Sequence, residues 1–146
     1  MQSEKYDRPV EDGLKKIIGD KWDDYVYDTN KDVLVLIWQD MISESTPNVK
    51  CNNLMDSVWK PLAKEVEDIE DVMIASFNIN HNELHYLAVD SLPTVKFYPK
   101  NDKTPIGFDV VLEDDDSSTE RFIDFLAEYS EAYQAARPKS AEDSTN

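Results

Sequence analysis

The chain carries a single cysteine, Cys51, and two histidines, His81 and His85. One sulfur cannot close an intramolecular disulfide, nor can it build a cysteine-based zinc site. The histidines lie four apart and could share a helix face. His81-Asn82-Glu83-Leu84-His85 nevertheless lacks the glutamate that zinc peptidases place directly after the first histidine. Surface histidines and no metal site are therefore expected. Cys51 supports two readings. It falls near the first turn of a predicted helix and follows Lys50, and both features lower a thiol pKa, as in a reactive monothiol. It also lies on an apolar stripe with Leu54, Met55 and Val58. A cysteine buried there is an inert small hydrophobe.

The charge balance narrows the partners. Fifteen basic and 31 acidic residues give a net charge of -16, which repels phosphate backbones and argues against nucleic acid. The acids cluster at Glu67-Asp68, Glu70-Asp71 and Glu113-Asp114-Asp115-Asp116. They read as a solvated surface. Weak calcium binding is the sharper alternative, although no loop has the spacing of a calcium-binding hand. No apolar run approaches the roughly 18 residues of a membrane span, so no membrane partner is expected. Met1 to Lys5 lacks the apolar core of a signal peptide, and Glu142 to Asn146 is no retention signal. If the parent protein is secretory, the chain is expected to be a mature fragment.

These residues must be positioned by regular elements. Residues 1–13 are polar and are expected to be loosely ordered, residues 14–136 to form one domain, and residues 137–146 to form a disordered polar tail. Leu14 to Ile18 reads as a first strand, and Asp20 to Val26 as a short helix with Asp20 as N-cap. Val33-Leu34-Val35-Leu36-Ile37-Trp38 is a continuous apolar run, as in a strand buried on both faces. Residues 39–46 are polar and turn-like. A long helix to about Val66 follows, with the stripe Cys51, Leu54, Met55, Val58, Leu62, Val66 and a kink expected at Pro61. Val72 to Phe77 is another buried strand, and Asn82 to Ala88 suggests a short helix. Pro93 to Tyr98 and Phe108 to Leu112 read as two further strands. Ser118 or Thr119 should cap a final helix whose apolar face is Phe122, Ile123, Phe125, Leu126, Tyr129 and Tyr133. The order β-α-β-α-β-α-β-β-α predicts an α/β fold with a central mixed β-sheet flanked by helices on both faces. A flavodoxin-like fold would suit the first half, but Gly13, Gly19 and Gly107 are the only glycines, too few for phosphate loops.

Ser91-Leu92-Pro93-Thr94-Val95-Lys96-Phe97-Tyr98-Pro99 resembles the S-x-P-T-x-K-F-F-P segment of catalytic-type domains of the protein disulfide isomerase family. Gly19 to Trp38 resembles that family's first strand-helix-strand unit, which ends in V-x-V-E-F-Y. Leu62 to Pro93 matches its spacing through V-x-I-A-x-x-D to the proline. The resemblance covers roughly residues 17–38 and 46–99. It implies a thioredoxin fold, and it implies that Leu92-Pro93 is a cis peptide beside the site.

The departures fall on the chemistry. Where the family reads A-P-W-C-G-H-C-K, this chain has Thr46-Pro47-Asn48-Val49-Lys50-Cys51-Asn52-Asn53. Val49 and Asn52 thus occupy the two cysteine positions, and Lys50 and Cys51 lie between them. The first cysteine of such a pair attacks as a thiolate and the second resolves the mixed disulfide. Leu36 stands at the family's buried glutamate, and Val111 to Asp116 replaces the arginine-bearing Y-x-G-x-R-T. An added segment, Gln39 to Ser45, precedes the site. The resemblance therefore implies a domain with a degenerate active site and no cofactor, not catalytic by itself. Its expected role is a client-binding or structural module in protein folding, in the lumen of the endoplasmic reticulum. Unfolded or partly folded polypeptides would be its partners, together with any further domains of the same parent chain. Ser91, Leu92, Pro93, Thr94, Met41 and Ile42 are the expected peptide-binding residues. The alternatives are a thiol-trapping or monothiol oxidoreductase domain using Cys51, and a scaffold outside the secretory pathway.

Overall fold

The computed structural model describes residues 10–80, 94–103, 106–108 and 119–137. Five strands form one sheet: β1 (Leu14–Lys16), β2 (Asp32–Trp38), β5 (Val72–Asn78), β6 (Thr94–Tyr98) and β7 (Ile106–Phe108), in the order β1-β5-β2-β6-β7. β1 and β2 both run parallel to β5, while β6 is antiparallel to β2 and β7 to β6. The sheet is mixed, as the alternation of elements predicts. β2 is central because every residue from Asp32 to Ile37 is buried. Successive side chains of a strand point to opposite faces. Leu34 and Leu36 accordingly join a core with Leu54, Val58, Trp59, Leu62, Phe97, Phe122 and Leu126. Val33, Val35 and Ile37 join a second core with Ile17, Trp22, Val26, Ala75, Phe77 and Tyr98.

The first core lies under the long helical segment and the C-terminal helices. That segment comprises α2 (Val49–Leu54), a π-turn (Met55–Trp59) and α3 (Lys60–Glu65). Proline lacks an N–H and clashes with the carbonyl four residues back in an α-helix. The chain accommodates Pro61 by widening the preceding turn, where the Lys60 N–H reaches the Met55 carbonyl. The expected stripe survives intact, with Cys51, Leu54, Met55, Val58, Leu62 and Val66 all buried. Trp59 ties the layer to the sheet by donating from Nε1 to the Ala75 carbonyl at 2.8 Å.

Several expectations need correction. The first short helix, α1 (Trp22–Val26), is entered through a 3-10 turn, Gly19–Lys21, so Asp20 lies inside that turn and is not an N-cap. Residues 39–46 are not a simple turn: Met41–Ser43 (β3) and Thr46–Pro47 (β4) pair antiparallel as a separate two-stranded sheet. β7 starts at Ile106, two residues before the expected strand, and residues 109–112 lie outside the described residues. So do the helix expected at 82–88, both histidines, and the Leu92–Pro93 bond. Arg137, assigned to the tail, donates to the Glu65 carbonyl and to Asp68 Oδ1.

The final helix is two helices, α4 (Thr119–Tyr129) and α5 (Glu131–Ala136). Ser130 interrupts them in extended conformation, and its Oγ accepts the Tyr133 N–H at 3.0 Å. The break leaves Tyr129 exposed rather than on the apolar face. The Thr119 hydroxyl donates to the Val58 carbonyl at 3.0 Å, tying the start of α4 to the long helical segment, and Ser118, the other expected cap, lies outside the described residues. The position of Ser130 is dictated by Asp32, a carboxylate buried at the start of β2. Asp32 accepts from the Lys100 N–H at 2.6 Å, the Ser130 hydroxyl at 2.7 Å and the Ala132 N–H at 3.1 Å. One side chain thus joins the central strand, the turn after β6 and the start of α5. Removing it strands two buried donors and a half-buried one. Asp32→Ala should lower the free energy of unfolding by about 2–4 kcal/mol in urea titrations, whereas a loss under about 0.5 kcal/mol would show that the network is not needed.

Candidate functional site at the degenerate dithiol position

β2 and β5 end together, with Trp38 opposite Asn78. At this end the Ile79 N–H donates to the Trp38 carbonyl at 2.9 Å. The chain then leaves β2 through Gln39-Asp40, forms the β3–β4 hairpin and enters α2 at Asn48. Asn48 is the N-cap of α2. Its side-chain oxygen accepts the Cys51 N–H at 3.1 Å, satisfying a donor that the helix start leaves open.

Asn52 lies one turn into the helix. Its side-chain nitrogen donates to the Asp40 carbonyl at 2.9 Å and to the Asn48 carbonyl at 2.8 Å. Both partners are acceptors, so only the nitrogen of the amide can face them. The Asn48 N–H reaches the same Asp40 carbonyl at 2.8 Å. On the other side, Asn80 Oδ1 accepts the Met41 N–H at 2.9 Å, and the Asn80 N–H donates to Asn78 Oδ1 at 2.9 Å. Asparagines thus form the polar framework of this end of the sheet. Short amide side chains bond readily to nearby backbone, which is why they suit turns and helix caps. Sequence reasoning missed this framework. The one local signal was Asn48, a favoured N-cap residue three positions before Cys51.

The structure gathers Met41, Ile42, Val49, Lys50, Cys51 and Asn52 at this end of the sheet. Val49, expected at the first cysteine position, is 62% exposed. Lys50 is exposed. Cys51 points the other way and is fully buried. Burial pushes its thiol pKa above the ordinary cysteine value, against a smaller opposing effect from a hydrogen bond with the Gln39 backbone. Leu36 is fully buried, with Ser76 and Val95 beside it in register. Thr94 opens β6 opposite Ile37. Ser91, Leu92 and Pro93 lie outside the described residues. Met41 is half-buried, while Ile42 is 62% and Ile79 36% exposed. The expected chemistry needs two sulfurs, and the chain has one. What this end does offer is a short hairpin that, among the described residues, forms its own sheet, and a set of solvent-facing apolar side chains.

A parallel β1-β5-β2 core with an antiparallel β6-β7 edge, and a helix starting beside the end of the central strand, define the class: this is a thioredoxin-fold domain. Among solved structures it superimposes on the J-Trx1 fragment of ERdj5 with a TM-score of 0.59 at 15% identity, over 80% of this chain and 50% of that one. It superimposes on a mutant thioredoxin from Halobacterium salinarum NRC-1 with a TM-score of 0.55 at 19% identity, over 82% of this chain and 93% of that one. No protein-family model matches the chain. Curated relatives are more specific. The chain is 28% identical over 116 residues to protein disulfide-isomerase 1 of Caenorhabditis elegans, covering 80% of this chain and 21% of that protein. It is 26% identical over 113 residues to protein disulfide-isomerase of Drosophila melanogaster, covering 77% and 20%. It is 25% identical over 133 residues to protein disulfide isomerase-like 1-4 of Arabidopsis thaliana, covering 90% and 21%. The chain is a protein-disulfide-isomerase-like thioredoxin domain with a degenerate active site, and it spans about a fifth of the length of these relatives.

The buried thiol gives a pH signature. Because the folded-state pKa is raised, the fold favours the neutral thiol. That stabilisation is complete below the unfolded-state pKa and is lost as the pH rises through the folded value. Thiolate absorbance of the folded chain should rise with a midpoint above the ordinary cysteine value. A midpoint below the ordinary cysteine value of about 8.5 would contradict the burial of Cys51.

Proposed function

We propose that the chain is a redox-inactive module that binds unfolded or partly folded polypeptide, serving protein folding in the lumen of the endoplasmic reticulum. The observation that carries this reading is the surface at the former dithiol position. Ile42, Val49 and Ile79 present apolar side chains to solvent beside a hairpin that, among the described residues, forms its own two-stranded sheet. Exposed apolar groups next to open backbone suit an extended peptide, which gains main-chain hydrogen bonds and buries its own apolar side chains. The missing second sulfur leaves this surface without a resolving thiol, and Leu36 is apolar where the family is expected to keep a buried glutamate. Covalent trapping through Cys51 is disfavoured by its burial and raised pKa. The endoplasmic reticulum is proposed on the resemblance to disulfide isomerases. Immunolocalisation of the full-length product against a luminal marker tests that part separately.

Binding is tested by titrating the labelled chain with an unfolded, cysteine-free polypeptide and following amide chemical shifts. Shifts should concentrate at residues 39–50 and 94, and a Met41→Ser, Ile42→Ser double substitution should weaken binding about fivefold or more. No shifts at about millimolar peptide, or shifts confined to α4, would sink the client-binding role.

A further inference from the structure

The hairpin should not be stable by itself. β3 and β4 are three and two residues long and form their own sheet among the described residues. Ile42, Ser43, Thr46 and Pro47 are all exposed and Met41 is only half-buried, so burial of side chains contributes little to holding it in place. An isolated two-stranded hairpin is marginal in water. Its stability must come from its base. Asp40 immediately precedes β3, and Asn48 immediately follows β4. A single carboxamide, that of Asn52, donates one N–H to the Asp40 carbonyl at 2.9 Å and the other to the Asn48 carbonyl at 2.8 Å. It therefore bridges the two ends of the hairpin. The Asn48 N–H closes the same junction, and Asn80 holds the first strand from the opposite side.

We propose that the vacated dithiol position has become a buckle. Asn52, expected at the family's second cysteine position, is the positioning residue that fixes the hairpin on α2 and keeps it ready for an apolar, extended polypeptide segment. A cysteine could not do this, because a thiol has one weak donor and the junction needs two. A fixed hairpin also lowers the ordering cost of peptide capture. The occupant rests on the client-binding reading above, whereas the buckle stands on geometry alone.

Amide hydrogen exchange and peptide titration on the full chain separate the two. Asn52→Asp keeps the shape but turns a carboxylate toward two carbonyl oxygens, and Asn52→Ala removes the donors without adding charge. In both variants amides 41–46 should exchange about tenfold faster or more, as loss of two hydrogen bonds implies. Amides of β2 and β5 should keep their protection, which shows that the fold is intact. The Kd for a cysteine-free apolar peptide should rise about tenfold as the preorganisation is lost. Asn53→Asp, one residue along on an exposed position, should change neither. Unchanged hairpin exchange in both Asn52 variants would overturn the buckle. Faster exchange with unchanged peptide affinity would overturn its positioning role. Faster exchange in a chain that binds no peptide at all would overturn the occupant and leave the buckle standing.

Discussion

Burial of β2 on both faces is the constraint on which the rest of the structure depends. Its alternating side chains feed two separate cores, so helices must cover both sides of the sheet. Its two ends are handled differently. The start is fixed by the Asp32 carboxylate, which holds the turn after β6 and the beginning of α5. The far end is capped by the Asn48–Asn52 framework and the added hairpin. The middle is wholly apolar. An unpaired carboxylate buried at Leu36 would be costly unless a task required it. With leucine there, the central strand contributes only packing at the position where disulfide isomerases are expected to keep a proton-transfer group.

The parts of the fold visible in the sequence are those whose signal is local and apolar. The run Val33 to Trp38 identifies its own strand, and the stripe from Cys51 to Val66 identifies its own helix, even though Pro61 falls inside it. The parts that were hidden depend on distant partners or on polar residues. Nothing around Ser130 marks a helix break, because the acceptor that draws its hydroxyl lies 98 residues away in β2. The hairpin was hidden for a different reason. Its strands are short and exposed on almost every side chain, so no alternation of apolar and polar residues betrays them.

The same division holds at the site. Counting back from Leu62 and Trp59 through the helix gives the expectation that Val49 and Asn52 fall at the cysteine positions. Sequence left Cys51 between two readings, since a helix start and an apolar stripe both include it; only the burial of its side chain distinguishes them. That Asn52 would clamp both ends of the hairpin could not be read from its type. The clamp exists only because the chain returns Asp40 to the side of α2.

The central claim is that a thioredoxin scaffold has kept its shape and exchanged thiol chemistry for a fixed, partly apolar surface. Reduction of insulin disulfides by dithiothreitol, with and without the chain, tests this most directly. One sulfur cannot both attack and resolve. The account predicts no acceleration above the uncatalysed rate, and no effect of Cys51→Ser. Turnover comparable to a domain with an intact C-x-x-C, abolished by Cys51→Ser, would contradict it.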